Sequence, residues 1–113
     1  MTKDTPETHP VLLTQDAMDD IKAIYDYIYD HDSPERADYV IGQIEKTFET
    51  LALFPERCGY PPELLEVGIK EYRETFFKPY RIIYRIQDSR VYVMMVVDGR
   101  RNLQTLLLRR LLK

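Results

Sequence analysis

The residues of this chain best suited to chemistry are five arginines that are expected to lie on one surface. They fall on, or directly after, three consecutive segments that have the composition of β-strands: Arg73, Arg81, Arg85, Arg100 and Arg101. Neighbouring strands lie only about 5 Å apart, so these side chains are expected to converge on one sheet surface. A guanidinium group binds a phosphate through two parallel hydrogen bonds and keeps its charge at any working pH. We therefore expect this set to bind a polyanion or an acidic protein segment.

The charge of the chain is divided unevenly between its two halves. From Gly68 onward there are 11 basic and 4 acidic residues, a net charge of +7, whereas the whole chain carries −3. Residues 1–67 therefore carry −10. This division favours a cationic surface attached to an acidic helical half. The same arginines could instead be solvated or paired with the acidic helices, and the sequence leaves both interpretations open.

Carboxylates beside the arginines are a second place to look for chemistry. Glu71 and Glu74 flank Arg73, and Asp98 lies at the end of a predicted strand, two residues before Arg100. An aspartate at a strand end can act as a general base. More often it caps a turn or orients an arginine, and that is the interpretation we favour. The nine tyrosines offer a stacking surface for bases in principle, but core packing explains most of them better.

The sequence predicts neither a metal site nor a cofactor. Cys58 and two distant histidines, His9 and His31, make a poor set of zinc ligands. A single cysteine excludes an intrachain disulfide and suits a reducing cytoplasm. The N-terminus lacks the apolar segment of a signal peptide, and no apolar run approaches the roughly 20 residues that cross a bilayer. We expect a cytoplasmic protein with no membrane partner.

Hydrophobic periodicity predicts the elements that carry these residues. Residues 10–14 form a short edge strand, and residues 16–29 place apolar side chains at the i, i+3, i+4 spacing of a helix. Ser33 and Pro34 begin a second helix as N-cap and first helical residue. That helix is expected to end near Phe54, and the two helices should pair as an antiparallel hairpin.

The second half reads as strands followed by a helix. A proline- and glycine-rich loop at 55–69, with a short helical turn near 63–67, precedes strands at 72–77, 80–87 and 91–97. Leucines 103, 106, 107 and 111 predict a final helix. The fold class is α+β, in the order β-α-α-β-β-β-α, with a helical hairpin on one face of a small twisted antiparallel sheet. The arginines would then lie on the opposite, uncovered face. Residues 10–113 form one domain, and residues 1–9 a flexible lead-in.

The order and spacing of these stretches resemble a known family. The matching segments are residues 17–29 (AMDDIKAIYDYIY), 51–55 (LALFP), 79–86 (PYRIIYRI) and 91–107, which close on GRRNLQTLL. Together they resemble the RelE/ParE toxins of type II toxin–antitoxin modules, also described as plasmid-stabilisation proteins. The resemblance covers residues 11–112 and implies the same small α+β fold.

The resemblance implies a bacterial growth inhibitor that a cognate antitoxin neutralises by wrapping around it. RelE-like members are metal-independent endoribonucleases that cleave mRNA on the ribosome, whereas ParE-like members poison DNA gyrase. On a RelE-like site, Arg81 and Arg101 match the catalytic arginines and Arg73 one of the basic positions on the second strand. Thr75 stands where a lysine is expected, and Leu107 where an aromatic residue is expected.

This partial site slightly favours the ParE-like function, and whether the chain is an enzyme stays open. The alternatives are a ribosome-dependent mRNA interferase and a degenerate binding module without toxicity. Expected partners are the antitoxin and either gyrase or the ribosome with its mRNA, in a homodimer or a hetero-oligomer with the antitoxin. If the arginine face is the site, Arg81→Ala or Arg101→Ala abolishes toxicity and leaves the fold intact.

Overall fold

The computed structural model of the chain describes residues 8–100 and 102–111. In this part of the chain the elements follow the predicted order, and the α+β class is confirmed. They are β1 (Val11–Leu13), α1 (Gln15–His31), α2 (Pro34–Leu53), α3 (Pro62–Leu65), β2 (Arg73–Phe77), β3 (Tyr80–Gln87), β4 (Arg90–Asp98) and α4 (Gln104–Leu111). Most of the expected lead-in lies outside the described residues, but the backbone N–H of His9 donates to the carbonyl of Ala52 at 2.8 Å.

Side-chain caps define where the helical hairpin begins and turns. The Thr14 hydroxyl accepts from the backbone N–H of Ala17 at 3.1 Å and caps α1. The Ser33 hydroxyl accepts from the N–H of Arg36 at 3.0 Å, with Pro34 at the first position of α2, as predicted. Each cap satisfies a donor that has no partner within its own helix.

The four strands form one sheet in the order β1-β4-β3-β2. The β2–β3 and β3–β4 pairs are antiparallel, and the turn between β3 and β4 has positive φ at Asp88 (54°) and Ser89 (63°), as a two-residue hairpin requires. The prediction of an antiparallel sheet was wrong for β1, which pairs parallel to β4 with Val11 opposite Val91. No tight turn joins β1 to β4, so nothing local sets their relative direction.

A β-bulge in β4 changes which residues of this strand face each side of the sheet. Ile83 pairs with Met95 and Tyr84 with Val93, which leaves Met94 as the extra residue. Beyond such a bulge the alternation of side chains shifts by one. The strand is interior, as predicted, and it contributes to a core on each side of the sheet.

Both faces of the sheet are covered. The first core lies under the helical hairpin and includes Ala37, Val40, Ile44, Ile82, Tyr84 and Val93. The second core lies on the opposite face, beneath α3 and α4, and contains Leu64, Tyr72, Ile83, Met95, Val97, Leu103 and Leu107. The expectation of an uncovered arginine face is therefore wrong. An amphipathic helix such as α4 must bury its leucines, and this sheet face is where it does so.

Candidate functional site

Arg81 lies in β3 on the side of the second core and is bound by two carboxylates. Its residue is only 9% exposed. Its Nη1 and Nη2 donate to the two carboxylate oxygens of Glu63 at 2.6 and 2.8 Å. Its Nε and Nη2 donate to Oε1 of Glu74 at 2.8 and 2.6 Å. The guanidinium is thus engaged on both sides by ion pairs within the fold.

The β2–β3 hairpin and a close backbone approach build this cluster. Arg81 pairs with Phe76, so Glu74, two residues earlier in β2, lies diagonally on the same face. Gly99 covers the other side, because a Cβ at this position would lie 2.9 Å from Cγ of Arg81 and 3.1 Å from the Pro79 carbonyl oxygen. Only glycine leaves room for the arginine stem here.

The two carboxylates of the cluster respond oppositely to their surroundings. The hydrogen bonds from Arg81 lower the pKa of Glu63, whose side chain is 26% exposed. Burial raises the pKa of Glu74, whose side chain is 8% exposed, and outweighs the same arginine. The pKa of Arg81 is raised, first by its bonds to Glu63, so it stays charged. For Glu74, the more deeply buried acid, desolvation outweighs the arginine and therefore decides the direction of the pKa shift.

We predict that Glu63→Gln is destabilising at neutral pH and less so in acid. A folded-state pKa below the unfolded value contributes stability that is present above the unfolded value, about 4.3, and is lost as pH falls through the folded one. Urea unfolding of both proteins between about pH 3 and 7 measures the gap. Glu66→Gln removes an exposed acid of the same segment and is the control. A gap that is constant down to about pH 3 would contradict the prediction.

Arg73 anchors a loop on the other face of the sheet. Its Nη1 donates to the carbonyl oxygens of Cys58 at 2.6 Å and Glu56 at 3.3 Å, and its Nη2 to the Tyr60 hydroxyl at 3.2 Å. The guanidinium also lies 4.7 Å from the centre of the Tyr60 ring. Since Arg73 pairs with Tyr84 of the first core, it points away from the second-core face that carries Arg81.

Arg73 and Arg85 both line one cleft at the edge of the sheet. The cleft has a volume of about 320 Å³ and is lined by Glu56, Lys70, Glu71, Arg73, Arg85 and Ile86. Arg85 lies over the ring of Tyr72 at 5.9 Å. We name this cleft the β2-edge cleft. It brings together two of the five predicted arginines and adds Lys70.

The remaining predicted arginines lie elsewhere. Arg100 is at the far end of β4, with a side chain that is 75% exposed, and its Nε and Nη2 donate to the Asp98 carboxylate at 3.0 and 2.6 Å. Asp98 also accepts from the Arg100 backbone N–H, which confirms that it orients an arginine. Arg101 lies outside the described residues. The role of these arginines in target binding stays a prediction, but the four that the structure describes do not gather on one surface.

Sequence reasoning missed the contact that holds α4 in place. Asp20, on the polar side of α1, accepts from the backbone N–H of Val96 at 3.0 Å and from Nη2 of Arg110 at 2.8 Å. Asp16 adds a longer ion pair to Arg110, 3.5 Å. One carboxylate therefore joins α1, β4 and α4. Nothing local distinguishes Asp20 from the solvated acids beside it, because its partners are 76 and 90 residues away.

Neither a metal-binding cluster nor a membrane-spanning helix occurs among the residues that the structure describes. Within residues 8–100 and 102–111, His, Cys, Asp and Glu side chains do not gather into a group of three or more that could hold a metal ion. In the same ranges, none of the helices has both the length and the apolar composition needed to span a bilayer.

Comparison with known proteins decides the family. The model of the family described as "ParE toxin of type II toxin-antitoxin system, parDE" matches residues 11–103, most of the chain. The chain belongs to this ParE family. Toxin ParE3 of Caulobacter vibrioides is 26% identical over 93 residues, which cover 82% of this chain and 89% of that protein. The recognition of a RelE/ParE toxin from the sequence is thereby confirmed.

Solved structures share the fold of this ParE-family chain. The chromosomal ParDE toxin–antitoxin system from P. aeruginosa matches with a TM-score of 0.68 at 18% identity, over 81% of this chain and 97% of that chain. The toxin–antitoxin complex RelBE2 from Mycobacterium tuberculosis matches with a TM-score of 0.58 at 23% identity, over 85% and 97%. The predicted fold class is confirmed by both.

Proposed function

We propose that this ParE-family chain inhibits growth in the bacterial cytoplasm by acting on DNA gyrase, and that it does not cleave mRNA. The observation that carries the proposal is the state of Arg81. In a RelE-like site this arginine would stabilise the charge of the transition-state phosphate. Here it is buried and bound to Glu63 and Glu74. Binding a phosphate would require breaking both ion pairs, so the group is poorly placed for such catalysis.

A second observation supports the same proposal. The position that RelE-like nucleases fill with an aromatic residue is Leu107, and this side chain is fully buried in the second core. Cleavage by a 2′-hydroxyl also needs a base and an acid at the phosphate. Arg73 supplies neither, because its donors are directed to loop carbonyls and a tyrosine hydroxyl.

The β2-edge cleft is our candidate for target contact. Arg85 and Lys70 line it and make no ion pair with any residue that the structure describes. Cationic side chains at the rim of an interface mainly raise the rate of association with an acidic partner. Arg100 lies at the other end of the sheet, so its predicted role in target binding requires a separate contact.

We further propose a cognate antitoxin as partner, in a hetero-oligomer. An apolar groove of about 190 Å³ runs between β1, α1 and α2, and its lining is Leu13, Met18, Ile21, Ile41, Ile44, Glu45 and Phe48. Leu13 and Met18 remain 37% and 45% exposed. A hydrophobic groove is the kind of surface into which a partner's amphipathic helix lays its apolar face. The two similar structures, described as a ParDE system and a RelBE2 toxin–antitoxin complex, suggest which kind of protein binds here.

Induced expression in a bacterial host tests the mechanism. We expect growth arrest, gyrase trapped on DNA and an SOS response, while mRNA stays full length. Defined mRNA cuts at ribosomes without trapped gyrase would instead establish the interferase. Unimpeded growth with folded protein would leave only the inert binding module.

A matched pair of variants tests the candidate contact. Arg85→Ala should weaken growth inhibition about fivefold or more in inducer titrations, because arginine is enriched among the interface residues whose truncation costs over about 1 kcal/mol. Arg90→Ala, in the next strand, removes the same charge outside the cleft and should remain toxic. Equal toxicity of both variants, at equal folded amounts, would exclude the β2-edge cleft.

A further inference from the structure

A second cationic cleft lies at the other end of the sheet, and Arg100 is its one residue that the target-binding predictions above include. It has a volume of about 400 Å³ and is formed by the end of α1, the first turns of α2 and the turn between β2 and β3. We name it the hairpin-end cleft. The side chains that matter here are Tyr27, His31, Arg36, Lys78, Tyr80 and Arg100.

The cleft is positively charged, although the helices α1 and α2 that line one side of it belong to the acidic half of the chain. Its cations are Arg36, Lys78 and Arg100, and Asp32 is the acid among its lining residues. Arg100 is partly neutralised by Asp98. Arg36 and Lys78 make no ion pair with the residues that the structure describes. Two uncompensated cations that face one concavity attract an anion carrying more than one charge.

An aromatic surface stands beside these cations. Tyr27 is 64% exposed, yet its ring is held parallel to that of His31, with centroids 4.1 Å apart and planes 15° apart. Tyr80 lies deeper in the cleft. Burial and Asp98 raise the pKa of Tyr80, while Arg100 and Arg36 act against them, so both guanidinium groups are close enough to affect this phenol. The cleft thus offers a flat exposed ring next to a group of cations.

We propose that the hairpin-end cleft binds a nucleotide, with phosphates at Arg36 and Lys78 and the base stacked on Tyr27. Its volume lies in the range of small-ligand pockets, about 300–1,000 Å³. Stacking on an exposed aromatic ring and ion pairing to phosphate are the two interactions by which proteins hold nucleotides regardless of base. An acidic peptide would use the cations but has no need of the exposed ring pair, which is why we favour a nucleotide.

The nucleotide could be free or part of a single strand, because an adjoining cleft has room for further nucleotides. Tyr27, Tyr80 and Arg100 also line an adjoining cleft of about 430 Å³, which continues past α1 to Val96 and Leu106. A strand held at Tyr27 could therefore extend beyond one nucleotide. Both sources share the same chemistry of base and phosphate, so binding experiments must separate them.

Titration of the purified full-length chain at low salt tests the proposal, with ATP, inorganic triphosphate and a short oligothymidylate as probes. Isothermal calorimetry or NMR shifts report binding. Arg36→Ala and Lys78→Ala should each weaken the binding of ATP and of triphosphate about tenfold. Tyr27→Ala should weaken the binding of ATP about tenfold but hardly change the binding of triphosphate. Tighter binding of the oligothymidylate than of ATP identifies a strand as the source, and the reverse a free nucleotide.

The control is Lys46→Ala, which removes an exposed lysine about 15 Å further along α2 and should bind like the parent chain. Absence of binding by ATP and by the oligothymidylate would overturn the proposal. An equal loss of binding affinity in the Lys46 variant would also overturn it. The same holds if triphosphate binds as tightly as ATP and Tyr27→Ala has no effect, or if an acidic peptide binds more tightly than either nucleotide probe. Because no gyrase is present, failure here leaves the proposed target untouched.

Discussion

Replacing Arg81 with alanine is expected to lower the free energy of unfolding by about 3–5 kcal/mol. The substitution leaves Glu74 buried without its cation and places it near Glu63 with no positive charge between them. Removing one partner of a buried ion pair is costly because the remaining charge is neither solvated nor neutralised. Urea unfolding, followed by circular dichroism, measures the change.

This result would revise the expectation that Arg81→Ala abolishes toxicity on an intact fold. Loss of toxicity should instead follow loss of folded protein, and a compensating Glu74→Gln change in the same chain should recover part of the stability. The exposed Arg90→Ala variant is the control and should stay within about 0.5 kcal/mol of the parent chain. A fully stable but non-toxic Arg81→Ala protein would restore a direct role in phosphate binding.

Replacing Leu107 with alanine is expected to cost about 2–5 kcal/mol of unfolding free energy. Leu107 is fully buried between α4 and the sheet, in contact with the second core. Its truncation removes apolar surface from that core and leaves a cavity, because the sheet beneath cannot close around it. The midpoint of urea unfolding should fall accordingly.

The same experiment tests whether the second face of the sheet is a core or a binding surface. Thr105→Ala, at an exposed position of the same helix, is the control and should change stability by less than about 0.5 kcal/mol. A change of that small size for Leu107→Ala as well would mean that α4 contributes little to the fold in solution. The arginine-face hypothesis would then deserve a new test.

The elements themselves could be predicted because local patterns specify them. Ser33 and Pro34 begin α2 as expected, and the alternation from residue 80 to 87 matches the bounds of β3 (Tyr80–Gln87). Hydrogen-bond caps, turn residues and periodicity act over a few positions, so the residues close in the sequence are enough to predict them. The direction of β1 and the bulge at Met94 could not, since both depend on partners distant in the chain.

Part of the candidate site could also have been foreseen. A tight β2–β3 connection places Arg81 opposite Phe76, which puts Glu74 on the same face and within diagonal reach. That register already indicates a paired arginine rather than a free one. Glu63 could not be foreseen, because it reaches Arg81 from α3 through the loop that precedes the sheet.

By itself the sequence determined that this chain is a RelE/ParE-like α+β toxin, with its helices, its strands and an excess of positive charge in the second half. Only the tertiary structure decided what the arginines do. It covers both faces of the sheet, buries Arg81 between carboxylates, turns Arg73 onto a loop and leaves Arg36 and Lys78 beside Tyr27. The physical reason is that composition sets how many charges there are, whereas burial and distance decide which of them remain available to bind a ligand.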